Sequence, residues 1–401
     1  MRTVQLVVPR YWARLRNCGQ RARSGRMFAL SIGLAAASFA RSSIEAQSPV
    51  ATTQLYLKTP NAVATQDMRR VSSVRELEDG RTLAIDIADD LIILQDWKLS
   101  ASRQVARKGR GPGEYLEVGR VFPLGRDSSL LEDPNARRWI LMEGTRLLRP
   151  INDSVRYATD IAFGGGDQRG RYLETHPFAY GRSTYATTAK IRVYAESLVV
   201  LLESAGGARV DTIARIGGSF SGEADITKVV KGASMSYVFF ALFAAEEQAL
   251  MFRDGWIAVA RRDPYRVDWF EPSLRRRSGK PLPFTKVPVD ARQKRAAMDR
   301  HWTGALHGVF TPAEMPGWPK FLPPFQPEAL IAMPDGNVLV ERTPDATISE
   351  LVYDIVDRTG SLNGRIHVGP RERIVGFGRG TVYTVLIDDD ELEHLRRHPW
   401  P

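Results

Sequence analysis

RKGRGPGEYLEVG, residues 107–119, decides the fold class. Gly109, Gly111 and Gly113 alternate, with Arg107, Lys108 and Arg110 among them. Such a stretch is either a phosphate cradle opening a helix or a sharp turn between strands. A P-loop needs G-x-x-x-x-G-K-[ST], and no Gly-Lys-Ser/Thr follows here. A dinucleotide loop needs G-x-G-x-x-G between a strand and a helix. In this chain the third glycine comes one residue early. Pro112 also removes an N–H from the backbone that would hold the phosphate. EYLEVGRVF, 114–122, is a poor helix with Gly119 inside it. The stretch reads as a turn, and nucleotide binding is set aside.

Working outward, a tight turn followed by an apolar run recurs. DGRTLAIDI starts at Asp79, DSSLLED at Asp127, ESLVVLLES at Glu196, DGWIAVARR at Asp254, DGNVLVERT at Asp335 and RGTVYTVLID at Arg379. Asp-Gly supplies the positive φ of a two-residue hairpin, and the run after it reads as a strand buried on both faces. LIILQDWKLS (91–100), YRVDWFEPS (265–273) and LVYDIVDRTG (351–360) follow as second strands, and RQVARKG, RRSGK and GRIHVG as third. A fourth strand bridges to the next unit. Six such units predict an all-β six-bladed β-propeller with four-stranded antiparallel blades.

The sixth unit, 370–401, is short. The alternating TQLYLK, 53–58, is therefore expected to complete it and close the ring. The wide gaps between Ser129 and Ser197 and between Gly255 and Gly336 are expected to hold insertions. These are the Gly-rich FGGGDQRGR at 163–171 and a helix at 290–302 capped by Asp290. FAAEEQAL, 243–250, predicts another short helical turn.

Residues 1–46 read as a removable export signal, leaving 47–401 as the propeller domain. Seven Arg from Arg2 to Arg26 precede MFALSIGLAAASFA, 27–40. Fourteen apolar residues are too few for a span of roughly 20 and suit a signal h-region. Cleavage points follow Ala40 and Ala46. The whole chain has a net charge of +10, but residues 1–46 hold eight Arg and one acid, Glu45. The rest carries 48 basic and 45 acidic residues, so no nucleic-acid partner is expected. Cys18 is the only cysteine. The mature chain therefore has no disulfide, thiolate metal site or cysteine nucleophile. An exported monomer, periplasmic or extracellular and without a transmembrane span, is expected.

GRGPGEY (109–115), the Asp-Gly blade turns, MPGWPKFLPPF (315–325) and TVYTVLIDDDELEHL resemble the exported six-bladed β-propellers of environmental bacteria, relatives of the NHL-repeat and TolB-like proteins. The resemblance covers about residues 52–401 and implies the fold. Most members have no assigned activity.

No sequence motif assigns a reaction. G-x-S-x-G is absent, and His301 and His307 lie six apart, unsuited to one helical face. Asp388-Asp389-Asp390-Glu391 lacks the glycine of a rigid calcium loop. The loop 301–325 carries Trp302, Phe310, Trp318, Phe321 and Phe325 among five prolines. Stiff aromatics there stack on a peptide or sugar, or else cover the ring. Lys108, Arg110, Glu114, Tyr115, His301, Trp302 and Trp318 are the candidate ligand-binding residues. Glu114 is expected to pair with Arg107 or Arg110. The leading expectation is a non-catalytic binding or scaffold protein, without a cofactor, for a peptide, glycan or envelope partner. The alternative is a lactonase-like or NHL-lyase-like enzyme with a divalent metal in the central channel.

Overall fold

The computed structural model describes residues 52–400, without 137, 152–161, 178–190, 194–196, 205–209, 218–221, 231–232, 240–241, 244–245, 302–307 and 316. Residues 1–46 lie outside them. Six antiparallel blades form a ring. Blade 1 holds Val71–Glu76, Thr82–Asp86, Leu91–Asp96 and Ala101–Gln104. Blade 2 holds Val121–Gly125, Ser128–Asp133, Arg138–Glu143 and Arg146–Pro150. Blade 3 holds Ala162–Gly166, Arg171–Pro177, Ser197–Ser204 and Val210–Gly217. Blade 4 holds Gln248–Met251, Ile257–Arg262, Tyr265–Phe270 and Arg276–Arg277. Blade 5 holds Leu330–Ala332, Val338–Glu341, Leu351–Val356 and Leu362–Val368. Blade 6 holds Glu372–Gly378, Thr381–Ile387 and Glu393–Pro399, with Ala62–Val63 as its fourth strand.

The first strand of each blade packs beside the first strand of the next, and Glu372–Gly378 meets Val71–Glu76. First strands therefore line the central channel. Because the strands alternate in direction, blade-to-blade connections and second-to-third loops share one mouth, here the upper. First-to-second turns share the lower.

The Asp that ends a second strand has a defined task. Asp86 accepts from Arg69 N (2.8 Å) and Arg70 N (3.1 Å). Asp133 accepts from Leu116 N (3.2 Å) and Glu117 N (3.1 Å). Each carboxylate satisfies amides of the chain entering the same blade, which a bare strand end leaves unpaired.

Four expectations change. The strand at 53–58 does not complete blade 6. Thr53–Tyr56 runs parallel to Leu362–Val368 as a fifth strand of blade 5, and the ring closes one step later through Ala62–Val63. Leu55 and Leu57 pack on the core shared by blades 5 and 6, while Tyr56 stacks on His367 at 5.0 Å. The period of two that predicted the strand also sets which edge it suits.

ESLVVLLES is the third strand of blade 3. The second is Arg171–Pro177, entered from a turn at Asp167 and Gly170. FGGGDQRGR is consequently no insertion but the channel strand and first turn of blade 3. A Cβ at Gly164 would lie 2.8 Å from Ala249 O, and one at Gly166 2.6 Å from Leu130 Cδ1; the glycines let the strands of blades 2 and 4 approach this channel strand closely. No described residue of FAAEEQAL is helical: Gln248–Met251 is the channel strand of blade 4, and tertiary pairing overrides the helix propensity there.

The insertions are a three-stranded sheet of Ile191–Val193, Gly222–Val230 and Ala233–Phe239, and α1, Ala291–His301. Asp290 caps α1 by accepting from Gln293 N at 2.9 Å. No helix among the described residues is long and apolar enough to cross a membrane.

Candidate functional site

The candidate residues of the opening loop all lie at the upper mouth, between blades 1 and 2. The glycine loop does hold an anion, and that anion is its own. Gly111 N donates to Glu114 Oε2 at 2.6 Å, and Arg107 Nε to Glu114 Oε1 at 2.5 Å. The Gly111 amide, then Arg107, hold the Glu114 carboxyl below its ordinary range. A Cβ at Gly109 would sit 2.0 Å from Glu114 Oε2, so glycine is required for this close approach. Lys108 pairs with Asp90. Tyr115 is fully buried and donates to Asp90 O at 2.6 Å. Arg110 remains exposed, with no ion pair among the described residues. Gly109→Val should expel the Glu114 carboxylate. The expected result is faster hydrogen exchange at the Gly111 amide with little change in global unfolding; unchanged exchange there would refute the internal cradle.

A cap built around α1 covers the same face beside blades 4 and 5. Gln293 Nε2 donates to Asp345 Oδ1 (2.6 Å), and Gln293 Oε1 accepts from Ala346 N (3.0 Å). This ties α1 to the second-to-third loop of blade 5. Ala297 packs with Phe243 and Leu322, and Met298 with Phe310 and Met315. Trp318 joins both groups; its Nε1 donates to Pro312 O at 2.7 Å, and Lys294 Nζ lies 5.6 Å from the ring centroid. Its indole serves the cap's own packing. His301 ends α1; desolvation, and then the Arg70 charge, push its imidazole below the ordinary value. Trp302 and His307 lie outside the described residues.

Beneath the cap the channel mouth carries charges that the sequence did not single out. Glu246 and Glu328 each stand two residues ahead of the channel strand, in the adjacent blades 4 and 5. Desolvation, and then the Glu328 charge, raise the Glu246 carboxyl to about 7. Neither glutamate forms an ion pair among the described residues. Glu341 ends the second strand of blade 5, and its N–H donates to Ala329 O at 2.9 Å. Burial raises the Glu341 carboxyl, opposed by Arg373 and by the Tyr353 hydroxyl. Arg373 is itself engaged, donating to Val71 O (2.6 Å) and Glu393 Oε1 (2.8 Å).

From the opposite side comes Arg120, at the head of the channel strand of blade 2. Its Nη2 donates to Leu330 O at 3.4 Å, and its guanidinium carbon lies 5.2 Å from the Phe122 ring centroid. Blades 2 and 5 face each other in a six-membered ring, so Arg120 bridges the channel. The result is a mouth with an acidic side on blades 4 and 5 and a bridging arginine from blade 2. Among the described residues no three His, Asp or Glu side chains gather closely enough to hold a metal ion. These mouth residues become visible only once the channel strands are assigned.

No family model and no curated protein matches the chain. Among solved structures, it resembles a candidate exported protein of Bacteroides fragilis at 10% identity, over 86% of this chain and 98% of that one, with a TM-score of 0.46. A DUF4221-family protein of Bacteroides vulgatus has 9% identity over 84% and 94%, TM-score 0.43. A streptogramin B lyase has 9% identity over 84% and 86%, TM-score 0.39.

Proposed function

We propose that the protein is an exported binding propeller. Its upper mouth takes a cationic group, a lysine or arginine side chain or an amino terminus, from a peptide segment of an envelope partner. The observation that carries this is Glu246, held close to neutrality beside Glu328 with no ion pair. A desolvated carboxyl beside the charge of an exposed one in the adjacent blade favours a cation between them. A peptide supplies that cation more directly than a neutral glycan does. The signal-like residues 1–46 support export.

The test is calorimetric titration of the purified mature chain with short Lys- and Arg-containing peptides and acidic controls. Cationic peptides should bind more tightly as pH rises from 6 to 8, with proton release, since the ligand favours ionised Glu246. Glu246→Gln together with Glu328→Gln should weaken binding about tenfold or more. Equal affinity for acidic and cationic peptides would remove the proposal.

A second reading rests on the same carboxyl. A glutamate near neutrality suits general acid–base work, with Arg120 placed to steady a developing oxyanion. This is the lactonase-like or lyase-like alternative. Turnover of a lactone, ester or glycoside, abolished by Glu246→Gln in a folded variant, would favour it over a binding role.

A further inference from the structure

The lower mouth, at the other end of the channel, carries an arrangement unrelated to the upper site. In blades 2, 4 and 6 the turn after the channel strand presents Arg126, Arg253 and Arg379. Blades 1, 3 and 5 have Glu78, Gln168 and Pro334 at the corresponding place. The three arginines therefore stand on alternate blades around the rim, all exposed. Inside the rim is Arg75, from the channel strand of blade 1. Its guanidinium donates to Glu76 O, Arg126 O and, at 3.4 Å, Gly125 O. Its Nε is buried and has no hydrogen-bond partner. Burial lowers its pKa; the Asp127 and Glu76 charges oppose this while those of Arg253 and Arg379 add to it, which places the Arg253 and Arg379 guanidinium groups within electrostatic reach of Arg75.

Most acids of this rim are engaged elsewhere. Asp127 accepts from Glu78 N at 2.7 Å. Asp79 pairs with Arg81 (2.6 Å), Asp167 with Arg171 (2.7 Å) and Asp254 with Arg358 (2.7 Å). The Arg379 guanidinium donates to a backbone carbonyl, that of Glu78, while its backbone N–H donates to Glu76 Oε1 at 3.1 Å. Arg126 and Arg253 form no ion pair among the described residues. Glu78, Asp127 and Asp335 are acids of these turns that form no ion pair among the described residues, and Asp127 and Asp335 are hydrogen-bonded within the turns.

We propose that the lower rim binds a multivalent oxyanion, a phosphate- or sulfate-type group seated between Arg253, Arg379 and Arg126 above Arg75. Guanidinium groups presented from separate blades at one mouth suit tetrahedral oxyanions, whose several oxygens each take a charge-assisted bond. Like-charged side chains on a rigid ring gain most when one anion neutralises several together. The upper mouth plays no part, so the two sites stand or fall separately.

The experiment titrates the full mature chain with tripolyphosphate, and with sulfate as a smaller probe. Saturable binding of tripolyphosphate is expected, weakening as salt is raised. Arg253→Ala with Arg379→Ala should reduce affinity about tenfold or more, and both positions are exposed turns whose loss leaves the core intact. Glu78→Gln should act in the opposite direction and tighten binding. Co-sedimentation with vesicles of an anionic phospholipid, lost in the double variant, would identify a lipid headgroup as the source. Tripolyphosphate binding without vesicle binding would identify a soluble phosphate. No binding at about 1 mM tripolyphosphate, or binding indifferent to the double variant, would overturn the proposal.

Discussion

Asp354→Ala is expected to lower the free energy of unfolding by about 3–5 kcal/mol. Asp354 is fully buried on the third strand of blade 5. Its Oδ1 accepts from Arg365 Nε at 2.8 Å. Its Oδ2 accepts from Arg342 Nη1 (3.1 Å) and from the Tyr265 hydroxyl of blade 4 (2.9 Å). Removing the carboxylate leaves two guanidinium groups without their counter-charge and a buried hydroxyl without its acceptor. The cost comes from those orphaned groups, not from the intrinsic worth of the ion pairs. Exposed pairs behave differently: Arg371 to Asp389, with Asp389 99% exposed, should contribute less than about 1 kcal/mol. Urea unfolding of Asp354→Ala and Asp389→Ala compares the two. Similar midpoints for both variants would show that the clamp between blades 4 and 5 adds nothing.

The second large effect is the pH dependence set by Glu246. Its carboxyl rises from an ordinary 4.5 to about 7 in the folded chain. The folded state therefore binds this proton more tightly than the unfolded state. The stabilising contribution is complete below about 4.5 and is lost as pH rises through about 7. Glu246 is half-buried, so its full contribution is on the order of 2–3 kcal/mol. Glu246→Gln removes the titration. Relative to this variant, the wild type should lose stability steadily between pH 4.5 and pH 8. A stability difference that stays flat across that range would remove the near-neutral carboxyl, and with it the observation behind the proposed binding mode.

Much of the ring was legible in the residues. The Asp-Gly turns before apolar runs located strands of blades 1, 4 and 5 that the repeat puts first in each unit and that are the second, one strand out from the channel, where the Gly80, Gly255 and Gly336 φ angles are 86°, 89° and 87°. Asp290 announced α1, and Pro112 excluded the phosphate loop. Blade 3 escaped the repeat because its turn reads DQRG rather than Asp-Gly, so the phase slipped by one strand there. In the opening loop, the expected partner of Glu114 was found in Arg107. The accompanying Gly111 amide bond was not foreseen, because backbone amides carry no sequence label. Glu246, Glu328 and Arg120 were passed over for a related reason. Each is an ordinary charged residue in a connection, and only its position at the head of a channel strand distinguishes it.

The sequence by itself determined the strand and turn chemistry, the number of blades and the confinement of cysteine to position 18. These follow from local rules: positive φ at glycine, alternation along a strand, and residue type. Only the tertiary structure decided which edge the N-terminal strand takes, which residues face the channel, and which charges meet across it. Those depend on contacts between blades far apart in the chain, as where Arg120 of blade 2 reaches Leu330 of blade 5. The glycine loop shows both levels at once. Its composition marks it as able to hold an anion, and the folded geometry makes that anion Glu114.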